Sequence, residues 1–252
     1  MKIISYLAQK GGTGKTTTAL CTGQALSRMG HRVLFVDLDP QGNLTDVLLP
    51  GSSGFTVTDV LNGSATVRET ATVTQYGDII RSDPDMDPDA ITPDQLTKAL
   101  KNESSQWDFC IIDNAPSLSG MTICSIYAAD YLILPTQADR FGIKAVNQLL
   151  ATIKATERTQ GHAGAVLGVL LTRYSNREII SRQARQTLRE TVKNAGSDLF
   201  QTEIRQCVSI KESQAAGMDV YTYAPKSNAA IDYRAVTAEM LERIHEKETA
   251  SE

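Results

Sequence analysis

The stretch "YLAQKGGTGKTTTAL", Tyr6–Leu20, decides how this chain of 252 residues folds. An apolar run over residues 2–8 leads into it and predicts a buried strand. The segment that follows, residues 16–30, has its apolar residues at helical spacing and closes on a glycine, a typical helix stop. A glycine-rich turn between a strand and a helix gathers free backbone amides and the positive end of the helix dipole at one point. These features favour binding of a phosphate group in the turn.

The turn is a variant of the phosphate-binding loop pattern G-x-x-x-x-G-K-[S/T]. Gly14, Lys15 and Thr16 fit the end of that pattern. Gln9 stands where the first glycine would fall, and Lys10 adds a second lysine that the pattern does not require. The alternative is a glycine-rich turn that binds nothing, and the flanking strand and helix argue against it.

The rest of the chain alternates between apolar runs and stretches with helical periodicity. The predicted strands are 31–39, 77–82, 107–115, 130–136 and 165–174. The predicted helices are 92–103, 119–128, 142–159, 177–194 and 229–246. This alternation predicts one α/β domain over residues 1–252, a doubly wound, mostly parallel sheet with helices on both faces. Ligands of such sheets bind beyond the carboxyl ends of the strands, where the glycine-rich turn would lie.

Composition sets limits on the class of protein. The chain is 41% hydrophobic and 21% charged, as expected for a globular protein, and its net charge of −4 excludes a uniformly basic surface. Four cysteines without a C-x-x-C pair favour reduced thiols in the cytosol. No apolar run reaches the ~18 residues of a membrane span, and no signal-peptide pattern is present. We therefore expect a cytoplasmic protein.

Three aspartates stand at the ends of predicted strands. Asp37 and Asp39 occur in "FVDLDPQGN", and Asp113 occurs in "FCIIDNAPS". Mg²⁺ between nucleotide phosphates takes one or two protein oxygens plus several waters. Thr16 and Asp113 are the expected pair of ligands. Asp37 and Asp39 have an alternative as ordinary strand-end residues that make local hydrogen bonds.

The motifs "KGGTGKTTT", "VDLDPQGN" and "IIDNAPS", in this order and spacing, resemble the ParA/MinD family of deviant Walker A P-loop ATPases. The closest likeness is to the short, Soj-type partition members. The resemblance implies ATP and Mg²⁺ as cofactors, slow hydrolysis, and a homodimer that forms around two nucleotides. It implies that Lys15 serves the nucleotide of its own subunit, whereas Lys10 reaches the phosphates held by the partner subunit. Without that added charge, two facing triphosphates would repel each other strongly.

The same resemblance implies further roles. Asp39 matches the residue that positions the attacking water, Asp37 supports the metal shell, and Pro225 would lie near the adenine. The other implied nucleotide contacts are Gly11, Gly12, Thr13, Gly14, Thr16 and Thr17. The sequence departs from the family's usual D-x-P-P pattern, because Ala115 stands where proline is usual.

The segment 173–211 is basic on an otherwise acidic chain. It holds eight basic and four acidic residues, a net charge of +4, which leaves −8 for the remainder. Arg182, Arg185 and Arg189 are spaced to share one helix face. Such a face suits the phosphate backbone of DNA. The alternative is a solvated face with internal pairs such as that between Glu178 and Arg182.

The family resemblance favours DNA as the ligand of this basic segment. "TRYSNR", residues 172–177, is similar to the family's loop in which an arginine contacts DNA, and Arg177 holds that place. Arg205 and Lys211 are further candidates from the stretch 204–230. With Lys10 only ten residues from the start, we expect no N-terminal helix-turn-helix domain, and therefore DNA binding by the ATPase domain itself.

Three outputs of a nucleotide switch compete: DNA partition, attachment to a membrane, and delivery to a client. The end of the chain has a short apolar stripe at Met240, Leu241 and Ile244, but glutamates dominate its polar side. A helix at an anionic membrane surface should carry Lys and Arg there. We therefore expect this helix to pack on the sheet and expect no membrane partner. A metal-cluster carrier is disfavoured because the cysteines lack ligand-like spacing.

The resulting prediction is a partition ATPase. Its ATP-bound dimer binds double-stranded DNA without sequence preference and associates with the nucleoid. Hydrolysis, stimulated by a ParB-like centromere-binding protein, releases it. The alternative is a MinD-like ATPase that positions a membrane or client component without binding DNA.

Overall fold

The computed structural model describes residues 1–51, 53–87, 90–101, 103 and 105–250, and these residues contain one eight-stranded sheet. Its strands are β1 Lys2–Tyr6, β2 Val33–Leu38, β3 Thr72–Thr74, β4 Gly77–Ile80, β5 Phe109–Asn114, β6 Tyr131–Thr136, β7 Ala165–Tyr174 and β8 Ile204–Arg205. They are arranged in the order β3-β4-β2-β5-β1-β6-β7-β8. Every neighbouring pair is parallel except β3 with β4. The predicted doubly wound, mostly parallel sheet is confirmed.

Helices connect the strands and cover both faces of the sheet. They are α1 Lys15–Arg28, α2 Asn43–Leu48, α3 Val57–Asn62, α4 Val67–Thr70, α5 Gln95–Lys101, α6 Gly120–Ala128, α7 Arg140–Gln160, α8 Ile179–Asn194, α9 Ser209–Ala215, α10 Val220–Tyr223 and α11 Asn228–Thr249. The predicted longer helices are present with shifted ends. One of them, 92–103, includes residue 102, which lies outside the described residues. The sequence patterns did not predict β3, β8, α2, α3, α4, α9 and α10, because these elements are too short to show a period.

The sheet separates two hydrophobic clusters. Along β2, Leu34 and Val36 belong to one cluster and Phe35 to the other, because successive side chains of a strand point to opposite faces. The first cluster includes residues of α3, α5, α6, α7 and α8. The second includes residues of α1 and α11. Burial on both faces explains why the central strands read as continuous apolar runs.

Helices α1 and α11 are held close to the sheet. A Cβ atom on Gly23 of α1 would lie 2.2 Å from the Phe35 ring, so only glycine allows this approach. Met240 and Ile244 of α11 are buried, and Leu241 packs against the same cluster. The predicted packing of the final helix is confirmed. No helix within the described ranges has the length and apolar character needed to span a bilayer.

The strand order brings the predicted functional residues to one edge. Strand β5 lies between β1 and β2. In its two registers Asp113 pairs with Tyr6 on one side and with Asp37 on the other. The glycine-rich turn after β1 and the aspartates after β2 and β5 therefore meet at the carboxyl edge of the sheet.

Candidate functional site

The glycine-rich turn is braced from two sides. Gly14 caps α1 in the left-handed region, at φ 83°, and its carbonyl accepts hydrogen bonds from the Thr18 amide at 2.8 Å and hydroxyl at 2.7 Å. The Thr172 hydroxyl of β7 contacts the Thr13 carbonyl at 2.6 Å and the Thr136 carbonyl at 3.1 Å. These contacts hold the turn in one shape before any ligand binds.

A cavity of about 270 Å³ lies over this turn. Its lining contains every residue from Lys10 to Thr17 together with Asp39. Gln41, Asn43, Pro116 and Arg173 complete the lining, and the sequence analysis assigned none of them. The first two belong to the quoted "DPQGN" segment, so closer attention to that motif would have found them.

Lys15 and Asp113 form a buried ion pair, with 2.5 Å between Nζ and Oδ1. Their side chains are only 6% and 0% exposed. Burial raises the pKa of the Asp113 carboxyl above its ordinary value, and the Lys15 ammonium opposes that rise. Because each charge is desolvated, each depends on the other for stabilisation.

The Asp113 carboxylate also has a free oxygen suited to a metal ion. Its Oδ2 atom is buried without a hydrogen-bond partner, and the adjoining Thr16 hydroxyl lies 3.5 Å from Lys15 Nζ. Within the described part of the chain, no three His, Cys, Asp or Glu side chains form a metal cluster. Mg²⁺ held mainly by phosphates and water needs only one or two protein oxygens, and Thr16 and Asp113 fit that requirement.

Asp37 is fully engaged by its neighbours. Its Oδ1 accepts from the Asp39 amide at 3.1 Å, and its Oδ2 accepts from the Thr45 amide at 2.9 Å and hydroxyl at 2.8 Å. Burial, reinforced by the nearby Asp113, raises the pKa of Asp37 to about 7. The structure thus shows Asp37 bracing Asp39 and the start of α2, and its predicted place in the metal shell stays a prediction.

Asp39 is aimed at the cavity. Its Oδ1 accepts from the Gln41 amide at 3.1 Å, and the side chain is 5% exposed. It lines the same cavity as Lys15. A carboxylate at this place can orient a water molecule toward a phosphate held by the turn.

Lys10 lies apart from the Lys15 pair, at the rim of the turn. Its Nζ donates to Asp139 Oδ2 at 3.1 Å and lies 5.5 Å from the centre of the Phe141 ring. The other oxygen of Asp139 accepts from the Gly142 amide at 2.6 Å and caps α7. Sequence reasoning missed Asp139, although an aspartate just before a helical stretch is a capping signal.

The predicted place of Pro225 near the adenine stays a prediction. Pro225 is exposed, its carbonyl accepts from Arg234 at 3.0 Å, and it lines neither of the cavities beside the turn. A second cavity of about 190 Å³ adjoins the first, and Gly14, Thr17 and Arg173 line both. The rest of its wall comes mainly from β8, the start of α9 and Tyr233.

The predicted basic residues divide into two groups. The side chains of Arg177, Arg189 and Lys211 make no hydrogen bond or ion pair to the residues described. Arg182 is exposed and donates to the Asn176 carbonyl at 2.9 Å. These four remain accessible to an external anion.

The other two basic candidates are paired within the fold. Arg185 forms an ion pair with Glu203, and Arg205 binds Asp232 through two nitrogens, the shorter contact being 2.6 Å. The considered pair between Glu178 and Arg182 is not formed in the part of the chain described, since Glu178 accepts from Ser181 instead. Both actual partners lie on other segments of the chain, so helical spacing could not reveal them.

Known proteins are similar to this chain over a much longer stretch than the glycine-rich turn. A model of the AAA domain family matches residues 1–163. The chromosome-partitioning ATPase Soj of Thermus thermophilus is 33% identical to this chain, over 96% of each.

Two solved structures are similar over nearly the whole fold. Apo McdA of Cyanothece has a TM-score of 0.86 at 25% identity, covering 96% of this chain and 99% of its own. The septum site-determining protein MinD of Pyrococcus horikoshii, complexed with Mg-ADP, has a TM-score of 0.77 at 27% identity, covering 94% and 95%. The similarity therefore includes the whole sheet as well as the glycine-rich turn.

Proposed function

Because this chain belongs to the AAA domain family, and within it to the ParA/MinD type of P-loop ATPases, we propose that it is an ATP-dependent DNA partition ATPase. The proposal covers a single ATPase domain over residues 1–252. ATP binding produces a dimer that holds DNA without sequence preference, and hydrolysis releases it. The similarity to a chromosome-partitioning ATPase along nearly all of both chains favours this output.

The observation that carries the proposal is the different placement of the two lysines. Lys15 is buried and paired with Asp113 inside the cavity, whereas Lys10 is 40% exposed at the rim. A lysine at the rim can extend toward a second copy of the chain. This arrangement supports a nucleotide-dependent dimer in which Lys10 acts across the interface.

Several residues at and beside the cavity have a part in hydrolysis. The amides of Gly11, Gly12 and Gly14 and the Lys15 ammonium hold the phosphates of ATP. Thr16 and the free oxygen of Asp113 would hold Mg²⁺, which neutralises charge between the phosphates when bound. Asp39 orients a water molecule in line with the terminal phosphate, and this alignment supplies most of the catalysis.

The DNA-binding surface is assigned to the unpaired basic residues. Arg177, Arg189 and Lys211, with the accessible Arg182, form this surface in the ATP dimer. Two such surfaces in one dimer reinforce each other, because the second binding event becomes intramolecular. The dimer is then associated with the nucleoid until a ParB-like centromere-binding protein stimulates hydrolysis.

Co-sedimentation tests directly whether nucleotide binding controls binding to DNA or to a membrane. The protein is mixed with duplex DNA of arbitrary sequence or with anionic liposomes, each with ATP, ADP or no nucleotide. We expect binding to DNA only with ATP, weakening as salt rises because counterions are released. Binding to liposomes, or to neither, would favour the alternative of a MinD-like positioning ATPase, for which the similarity to MinD and McdA is the supporting observation.

A further inference from the structure

Arg173 has a backbone conformation that no other described residue shares except glycines. Its φ is +50°, in the left-handed region, where every other positive value belongs to glycine. A side chain in this region is sterically costly, and such residues cluster at functional sites. The conformation persists because its two neighbours are anchored: Thr172 is buried and bound to the glycine-rich turn, and Tyr174 is buried.

A bulge in β7 is the cause of this conformation. Thr172 lies opposite Ile204 of β8. Tyr174 lies opposite Arg205, the next residue of β8, so Arg173 has no partner in the register. Bulges of this kind re-aim a side chain and are frequent beside active sites.

The bulge places Arg173 where the two cavities join. Only Gly14, Thr17 and Arg173 line both cavities among the described residues, and Arg173 is the only charged one of the three. Its side chain makes no hydrogen bond or ion pair within the part of the chain described. An unpaired guanidinium at the junction of a phosphate cavity and an adjoining pocket is suited to an anionic oxygen of a ligand that extends through both.

We propose that Arg173 is a nucleotide-contacting residue that binds an oxygen of the phosphate nearest the base. The inference rests on the proposed function and adds a residue to its nucleotide-binding site.

The test measures the affinity of fluorescent ADP for Arg173→Asn. Asparagine tolerates the left-handed region, so the variant removes the guanidinium and keeps the backbone. Loss of a charge-assisted contact predicts about ten- to a hundredfold weaker binding. Arg158→Gln, which removes an exposed arginine in the last turn of α7, is the control and should bind like wild type.

The outcomes distinguish a failure of the Arg173 assignment from a failure of the proposed function. If wild type binds ADP and Arg173→Asn binds it equally well at an unchanged melting temperature, the assignment of Arg173 is overturned. If wild type itself binds no ADP, the proposed ATPase function fails before Arg173 is tested.

Discussion

At the scale of single residues, the Lys15–Asp113 pair contributes to the stability of the fold. Both side chains are almost fully buried, so each charge depends strongly on the other. Removing one partner of such a pair leaves an uncompensated buried charge. Lys15, the proposed phosphate-binding lysine, is therefore also a structural residue.

We expect Lys15→Ala to abolish nucleotide binding and to lower the free energy of unfolding at pH 7 by about 3 kcal/mol. The loss should shrink toward pH 5, because the isolated Asp113 has a raised pKa in the folded variant and takes up a proton as the pH falls. Urea unfolding at the two pH values and calorimetric titration with ADP measure these effects. Lys10→Ala is the control, since its exposed pair with Asp139 contributes little to stability. A variant as stable as wild type at pH 7 would contradict the structural role.

Asp39→Ala tests the proposed role of Asp39 in orienting the attacking water. We expect this variant to bind ATP, form the dimer and remain on DNA, because the carboxylate is needed only for hydrolysis. Phosphate release should fall by about a hundredfold or more if alignment of the water supplies the rate. DNA co-sedimentation over time after ATP addition is the measurement. Release from DNA at the wild-type rate would remove Asp39 from the catalytic residues.

At the scale of elements, Asp219 joins three parts of the fold. It caps α10 through the Thr222 amide at 3.0 Å, and its Oδ2 accepts from Arg28 at the end of α1 at 2.7 Å and from Tyr76 at 2.8 Å. Burial alone raises the pKa of Asp219, but the hydrogen bonds from Arg28, Thr222 and Tyr76 outweigh it and hold that pKa at about 2. Its ionised form therefore stabilises the fold.

Asp219→Asn should lower the free energy of unfolding at pH 7 by about 2 kcal/mol. Because the folded pKa is depressed, the wild-type advantage is complete above the ordinary pKa near 4 and is lost as the pH falls toward 2. Unfolding curves between pH 2 and 7 measure this. Asp108→Asn is the matched control: its pKa is also about 2, but its pair with Arg32 is exposed, so solvent screening makes the loss smaller. Equal losses in the two variants would contradict the importance of burial.

At the scale of the whole molecule, the proposed DNA contact Arg177 lies apart from the candidate nucleotide site. Arg177 is exposed and lies outside both cavities that adjoin the glycine-rich turn. The net charge of the chain is −4, so under the proposed function any affinity for DNA rests on a few accessible cations. A change at Arg177 should consequently alter one activity and leave the other intact.

We expect Arg177→Glu to retain ATP-driven dimerisation and to lose DNA binding, by about tenfold or more at moderate salt, since it replaces a phosphate contact with a repulsive charge. Sedimentation velocity and DNA binding over a salt series measure the two activities. Arg158→Glu makes the same change of charge on α7 and should have a much smaller effect. If the two variants bound DNA equally well, Arg177 would not be a contact.

Much of the fold was predictable because its determinants are local. The apolar runs of β1, β2, β5, β6 and β7 and the periodicity of the longer helices are visible in short windows of sequence. Sequence motifs singled out Lys15 and Asp39, which line the cavity, and Asp113, which pairs with Lys15, while the roles of these residues stay predictions. The elements α2, α3, α4 and β3, which lie between β2 and β5, were not predictable, since three to six residues are too few to establish a period.

The sequence by itself determined the doubly wound sheet and the glycine-rich turn at its carboxyl edge, because each arises from a contiguous pattern of residues. Only the tertiary structure decided which charges are paired. Lys10 meets Asp139 across 129 residues, and Arg205 meets Asp232 across 27. It also decided that Arg173 lies in a bulge, since a bulge exists only relative to a neighbouring strand. Such contacts depend on strand order and register, which bring distant residues together and cannot be read from the spacing of residues in a short stretch of sequence.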